Sequence, residues 1–481
     1  MVNRNIQMKK KNNDEWENLF PLSLNENIYN TEGKNLNEQF NQLTNDISND
    51  FNSYKSQVTN QLNIFRKNVP VNHVNSDSYN TLQEALNESV GGVLFIKPDT
   101  YLINTPLKIQ SNTKIIAYGS TFKRNADINH MFINDSDGSK GGYLANNNIE
   151  FYGGVIDGSG GSYVDKCTMI AFGHSRNIIL KDITFKNLRD WHMIDLNACE
   201  DVLIDTCILK DYGNSTTGTE MIQLDIAKGT SQFPWFGPYD NTTCNRITIQ
   251  NCYFENGVRA IGTHSWTEGK EHTRITIKNN FITGMRKEAI NGLDWAFTEI
   301  LNNTILSTNK GIVLTVAGKS VLNHLIKDNY LRGVQSDTST RGINIIGLKD
   351  SYSVSSGKII NNTVRLFGSH GIGVDYCEQW QITDNEVHKN GGWGIVFWGV
   401  SHGIASGNIL HSNSANRNPF LYDLTAQNEC SRIIFNGNIT QGLRMDSTSN
   451  GIVTNNIVVL DRFLVGSSIV SNSNTVDNSI V

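Results

Sequence analysis

Apolar side chains near the start of the chain fall at Phe40, Leu43, Ile47, Phe51, Tyr54, Val58, Leu62 and Phe65, in steps of three and four. Phe40, Phe51 and Leu62 mark an eleven-residue period, which predicts a nearly straight or slightly right-handed coiled coil over 36–70. A lone helix of this kind would expose its apolar stripe, so partner helices are implied. Residues 1–35 carry aromatic and apolar positions in a polar setting between Trp16 and Tyr29, and read as a docking segment.

Past Asn75 the pattern changes. Tyr79–Ser89, containing TLQEAL, reads as a short capping helix, followed by a strand over Gly92–Pro98. A repeat then takes over, with the core Ile-x-Ile-x-Asn/Asp-Asn/Cys-x-aliphatic or aromatic. It appears as IILKDITF (Ile178–Phe185), VLIDTCIL (Val202–Leu209), ITIQNCYF (Ile247–Phe254) and ITIKNNFI (Ile275–Ile282), and continues to Ile452–Val458. A second short strand recurs about a dozen residues on, as at Met221–Leu224, Ala260–Thr263 and Ala289–Gly292. Alternation gives strands with one face inward, and Asn at the corner accepts left-handed geometry and can stack as a ladder. Two or three strands per coil of variable length predict a parallel β-helix over 75–481, whose ends need caps.

Composition narrows the partners. A net charge of −5 with 18% charged residues leaves no basic face for nucleic acid. The 38% hydrophobic content is low, yet 41 glycines against 7 prolines argue against disorder. Seven cysteines in no metal-binding spacing are expected to be buried free thiols. Met1–Asn13 is polar and lysine-bearing, so no secretion signal is expected, and no run of 18 apolar residues predicts a membrane span. A polymer-binding protein without such a signal leaves its cell by lysis or a dedicated machine, which favours a virus particle.

Polar chemistry concentrates on the second-strand repeats between 190 and 300. Their alignment stacks Gln223, Gly262 and Asn291 outward in one column and Asp225 and His264 in the next, with Asp195 in the preceding coil. His192, Glu220, Arg259 and Glu288 stand just before these strands, and Gly262 leaves a floor between bulkier neighbours. The insertion 226–244 brings Trp235, and the loop after His264 brings Trp266 and ends at His272. Aromatics beside acids hold sugar rings, so Gln223, Asn291, Trp235, Trp266, Asp195 and His272 are candidates for substrate binding. Three chemistries remain open. A hydrolase would use Asp225 and Asp294 with Glu220 supporting, at about 5 Å for neighbouring coils or about 9–10 Å for coils two apart. A phosphodiesterase would hold a divalent cation on Glu220 and Asp225, with His264 or His272 as acid or base and Arg259 neutralising phosphate. A lyase would use Arg259 as base beside carboxylates that bind calcium. Against all three stands the plain alternative that these residues form corner ladders, salt bridges and interface packing. A second cluster, Asp375, Glu378, Trp380, His388, Trp393 and Trp398, is a candidate secondary carbohydrate site or a solvated, interface-packing face.

Ser78–Lys123 resembles the first coils of the pectate-lyase-like superfamily, and Glu220–Asn280 is similar to the pectin-lyase-fold appendage proteins of short-tailed phages that attack Gram-positive cells. The resemblance covers roughly 75–460 and implies an all-β, right-handed parallel β-helix behind a trimeric coiled-coil stem. It also implies a homotrimer on a virion, docked to a tail or connector protein through 1–35, and a teichoic-acid or exopolysaccharide target. The fold hosts lyases, hydrolases, esterases and pure binders, so it leaves the reaction open. The expected function is therefore a spike that binds and degrades a surface glycopolymer, the alternatives being an adhesive spike without turnover and a secreted bacterial lyase.

Overall fold

The computed structural model describes residues 3–4, 28–29, 73–163, 166–213, 219–229, 237–316, 320–335, 338–349, 354–413, 422–445, 448–459, 463–466 and 468–476. The chain divides into two units, Met1–Val71 and Asn72–Val481. In the first, Asn3–Arg4 pairs antiparallel with Ile28–Tyr29. The predicted stem over 36–70 lies outside the described residues.

The second unit is an all-β parallel helix built from three parallel sheets, with very few helices. One coil shows the plan. Glu200–Asp205 lies in the first sheet, Ile208–Tyr212 in the second and Glu220–Asp225 in the third. The next coil, Asn245–Gln250, Tyr253–Glu255 and Arg259–Gly262, stacks on it in parallel register. The second sheet has 15 strands, which at about 4.8 Å per step gives a rod about 67 Å long. Inward aliphatics such as Ile247 and Ile249 alternate with outward polar residues, and their stacking fills one continuous core. The short helix α1 (Leu82–Glu88) covers the first coils. Thr81 accepts from Glu84 N, and Glu84 accepts from Thr81 N, a reciprocal cap.

The corner between the first two sheets divides into two positions what the sequence assigns to one. The first position turns left-handed, as at Asn279, Asn302, Asn361 and Asn455, with φ from 51 to 57°. The second points inward and forms the ladder. Asn280 donates to Asn303, Asn303 to Asn329, Asn329 to Asn362, Asn362 to Asn385 and Asn385 to Asn408, each amide to the next side-chain oxygen at 2.9–3.0 Å. The ladder runs on through Asn438 and Asn456 to Asn474. Cys207 and Cys252 occupy the same column in earlier coils, and all seven cysteines are buried and free. No described helix is long and apolar enough to cross a membrane.

Candidate active site on the third sheet

Strands of the first sheet bury alternate residues, but Glu220–Asp225 and Ile194–Asn197 are buried along their whole length. The outward polar side chains of the third sheet are therefore covered as well. The segment at Pro238–Asp240 is tied to earlier coils: Asp240 accepts from Gly142 N at 2.8 Å, and the His174 ring bridges Gly142 O and Pro238 O.

Register places the expected column as read. Asp195 pairs with Gln223, Gln223 with Gly262 and Gly262 with Asn291. A Cβ on Gly262 would stand 2.9 Å from Glu220 Cγ and 2.9 Å from Asn291 O, so glycine is what lets Glu220 lie across the strand. Beside this column runs a charged row. Arg259 joins Glu220 Oε1 at 3.0 Å and Glu288 Oε2 at 2.5 Å, and Lys310 joins Glu288 Oε1 at 3.0 Å. His264 Nδ1 meets Glu220 Oε2 at 3.1 Å, and its ring stacks on His192 with centroids 5.9 Å apart. His192 Nδ1 reaches the Glu220 carbonyl at 2.8 Å, which makes that nitrogen the donor and leaves Nε2 unprotonated.

These environments drive the titrating groups apart. Burial raises Glu220, but His264, His192 and Arg259 outweigh it and hold the carboxylate below its usual range. Burial lowers His264, but its bond to Glu220 and the charges of Glu220 and Asp225 raise it overall. His192, wholly buried, falls to about 4 and stays neutral at pH 7. Burial, with Asp225 and Glu220 nearby, pushes Asp195 well above the carboxylate range. Asp225 is raised by burial, and its Oδ1 accepts from Ser265 Oγ and Ile226 N. The cations are the reachable members: the side chains of Lys310, His264 and Arg259 are 37, 32 and 16% exposed, against 0% for Glu220 and 8% for Glu288.

The remaining candidates lie differently. His272 is buried and accepts the Cys244 N–H at Nδ1, and burial lowers it to about 3. Asp294 sits one residue past the Asp225–His264 row, at a left-handed turn where its carbonyl accepts from His272 N. Trp266 is 41% exposed and its carbonyl accepts from Lys228 Nζ, whereas Trp235 lies outside the described residues. Asn291 donates to Thr263 O at 3.1 Å. Among the described residues, His192, Glu220 and His264 could hold a metal ion, since their ligand atoms all lie within 4.8 Å of one another. Two imidazoles and a carboxylate suit a transition metal better than calcium. Lys310 and Ser265 were not in the sequence reading. Lys310 occupies the same offset before its strand as Glu220 and Arg259, a signal the sequence does carry.

The family model "Right handed beta helix region" matches residues 344–481. Plasmin and fibronectin-binding protein A of Streptococcus pneumoniae is 25% identical over 266 residues, covering 47% of this chain and 36% of that protein. The chain thus spans about a third of the length of this curated relative. Two solved structures of PfbA, a surface adhesin of Streptococcus pneumoniae, superpose with TM-scores of 0.59 and 0.54 at 18% identity. They cover 71 and 84% of this chain and 92 and 100% of theirs. Tailspike protein 3 of bacteriophage CBA120 is similar at a TM-score of 0.47 and 10% identity, over 85% of this chain and 60% of that one.

Proposed function

We propose that the third-sheet face around Gly262 binds an anionic bacterial surface glycopolymer and cleaves it, with wall teichoic acid the first candidate and a charged exopolysaccharide the second. One observation carries this reading: the site turns its cations outward and buries its carboxylates. Arg259 and Lys310 meet the polymer's negative charge. His264, oriented through Nδ1 by Glu220, offers Nε2 as the proton donor to the leaving oxygen while a water molecule forms the new bond to the atom it leaves. Glu220 is fully buried with both oxygens engaged, so it acts as a positioning residue. We also read the chain as a homotrimeric virion spike docked through 1–35, which an oligomer mass of about 160 kDa, three times 53.7 kDa, would support.

The test is incubation of the full chain with purified wall teichoic acid and, separately, with capsular polysaccharide, following product size and new end groups with and without a chelator. His264→Ala should slow turnover by roughly 10²–10⁴-fold. Glu220→Gln should move the alkaline limb of the pH–rate profile to lower pH, because the carboxylate that raises His264 is gone. Asp225→Ala should leave assembly intact and abolish turnover. Loss of activity with chelator would assign the His192, Glu220 and His264 set to a metal. The second reading, adhesion without turnover, is favoured by the likeness to a surface adhesin, and binding without shortening of either polymer would establish it.

A further inference from the structure

The arrangement at Gly262 has a counterpart further along the same sheet. Register carries its column from Gly262 through Asn291, Val313 and Asn344 to Gly373. Four inter-strand steps make about 19 Å. A Cβ on Gly373 would stand 2.9 Å from Arg341 Nη1 and 3.2 Å from Asn344 Oδ1, so this glycine too leaves a floor beneath a charged pair. Arg341 Nη1 donates to Asp375 Oδ2 at 2.5 Å, as Arg259 does to Glu220 at the first position. Arg341 occupies the offset of Glu220, Arg259, Glu288 and Lys310, two residues before the inward isoleucine of its strand, and the row continues as His370 and Trp393.

Aromatic groups replace the acid–base groups here. The Trp393 ring stacks on His370 at 4.6 Å and lies beside Trp398 at 6.2 Å, with interplanar angles of 12 and 24°. Trp398 pairs in register with Asp375 and donates from Nε1 to the Tyr376 hydroxyl at 3.0 Å. Both tryptophans are half-buried, so each keeps surface for a ligand. A flat aromatic shelf beside a fixed guanidinium and carboxylate matches a sugar ring, whose apolar face packs on the shelf while its hydroxyls meet the polar pair.

We propose that Arg341, Asp375, Trp393 and Trp398 form a second saccharide-binding station, and that one polymer chain lying along the sheet is held there and at Gly262 together. This rests on the reading of the Gly262 face as a glycopolymer site. The part assigned to this station is recognition.

The test titrates wall teichoic acid and capsular polysaccharide into the full chain, Trp398→Ala and Gly373→Val, with affinity read by calorimetry. Gly373→Val adds bulk against the flexible end of Arg341 instead of removing packing, so it remains informative should Trp398→Ala fail to fold. Both variants should lose about tenfold, or about 1.4 kcal/mol, for the polymer the unaltered chain binds. Fragments too short to span about 19 Å should be turned over equally by all three. Variants that bind like the unaltered chain, or an unaltered chain that binds neither polymer, would overturn the second station. Absence of chain shortening with this affinity loss intact would overturn cleavage alone.

Discussion

Asn385→Ala interrupts the asparagine ladder at its middle, and the hydrogen bonds it removes can be enumerated. The Asn385 amide donates to Asn408 Oδ1 at 3.0 Å and to the carbonyls of Ile359 and Thr383 at 2.9 Å. Its oxygen accepts from the Asn362 backbone N–H at 2.9 Å and from the Asn362 amide at 3.0 Å. Alanine leaves Asn408 Oδ1 with its bond from Asn385 N, and leaves the Asn362 amide its bonds to Ile326 O and Ile360 O. It orphans the Asn362 backbone N–H inside the wall. An orphaned buried donor costs about 1–3 kcal/mol and each lost net bond about 1 kcal/mol, so the expected loss is about 3–4 kcal/mol. Hydrogen exchange on a peptide spanning Asn362 reads this directly. Protection there should fall by about two to three orders of magnitude, since about 1.4 kcal/mol is a factor of ten. Asn361→Gly is the control: that position is exposed and left-handed at φ 53°, a geometry glycine adopts without strain, so the change should stay within about 0.5 kcal/mol. Unchanged protection at Asn362 in the Asn385→Ala chain would refute the ladder as a source of stability.

Two further outcomes follow from the charged row. Burial raises Glu288, but Arg259 and Lys310 outweigh it and hold the group at about 2, against 4.5 unperturbed. The folded state thus binds this proton less readily than the unfolded one, so its contribution of about 3 kcal/mol is present above pH 4.5 and lost as pH falls towards 2. Denaturant unfolding across that range should show the slope, and Glu288→Gln should flatten it. Gly262→Val places a Cβ against Asn291 O, a backbone atom that cannot turn aside, and against Glu220 Cγ. Turnover should fall by more than tenfold through displacement of Glu220 and His264, with a lower thermal midpoint, and a fully active variant would show that the floor is not used.

What the sequence reveals here follows from what repetition can encode. Alternation sets which side chains face inward, and stacked Ile-x-Ile cores fix register, so the column Asp195, Gln223, Gly262 and Asn291 is legible before any coordinates. The corner was half legible. Tandem asparagines look equivalent in a repeat, yet one satisfies the left-handed turn and the other satisfies buried backbone groups, a division that depends on which side chain points inward. The depth of the outward face was not legible at all, because burial of Glu220 and Asp225 goes with partners from other coils, such as Arg259, His264 and Ser265. The same cause hides the grouping of His192, Glu220 and His264. A coil step brings His192 and Glu220 together across 28 residues of sequence, and no local spacing records that. One further signal lies in the sequence. The offset two residues before each inward aliphatic, which picked out His192, Glu220, Arg259 and Glu288, extends unchanged to Lys310, Arg341, His370 and Trp393. Followed to its end, that offset leads from a charged site to an aromatic one on a single face, and this continuity is the physical reason to expect one long ligand rather than two small ones.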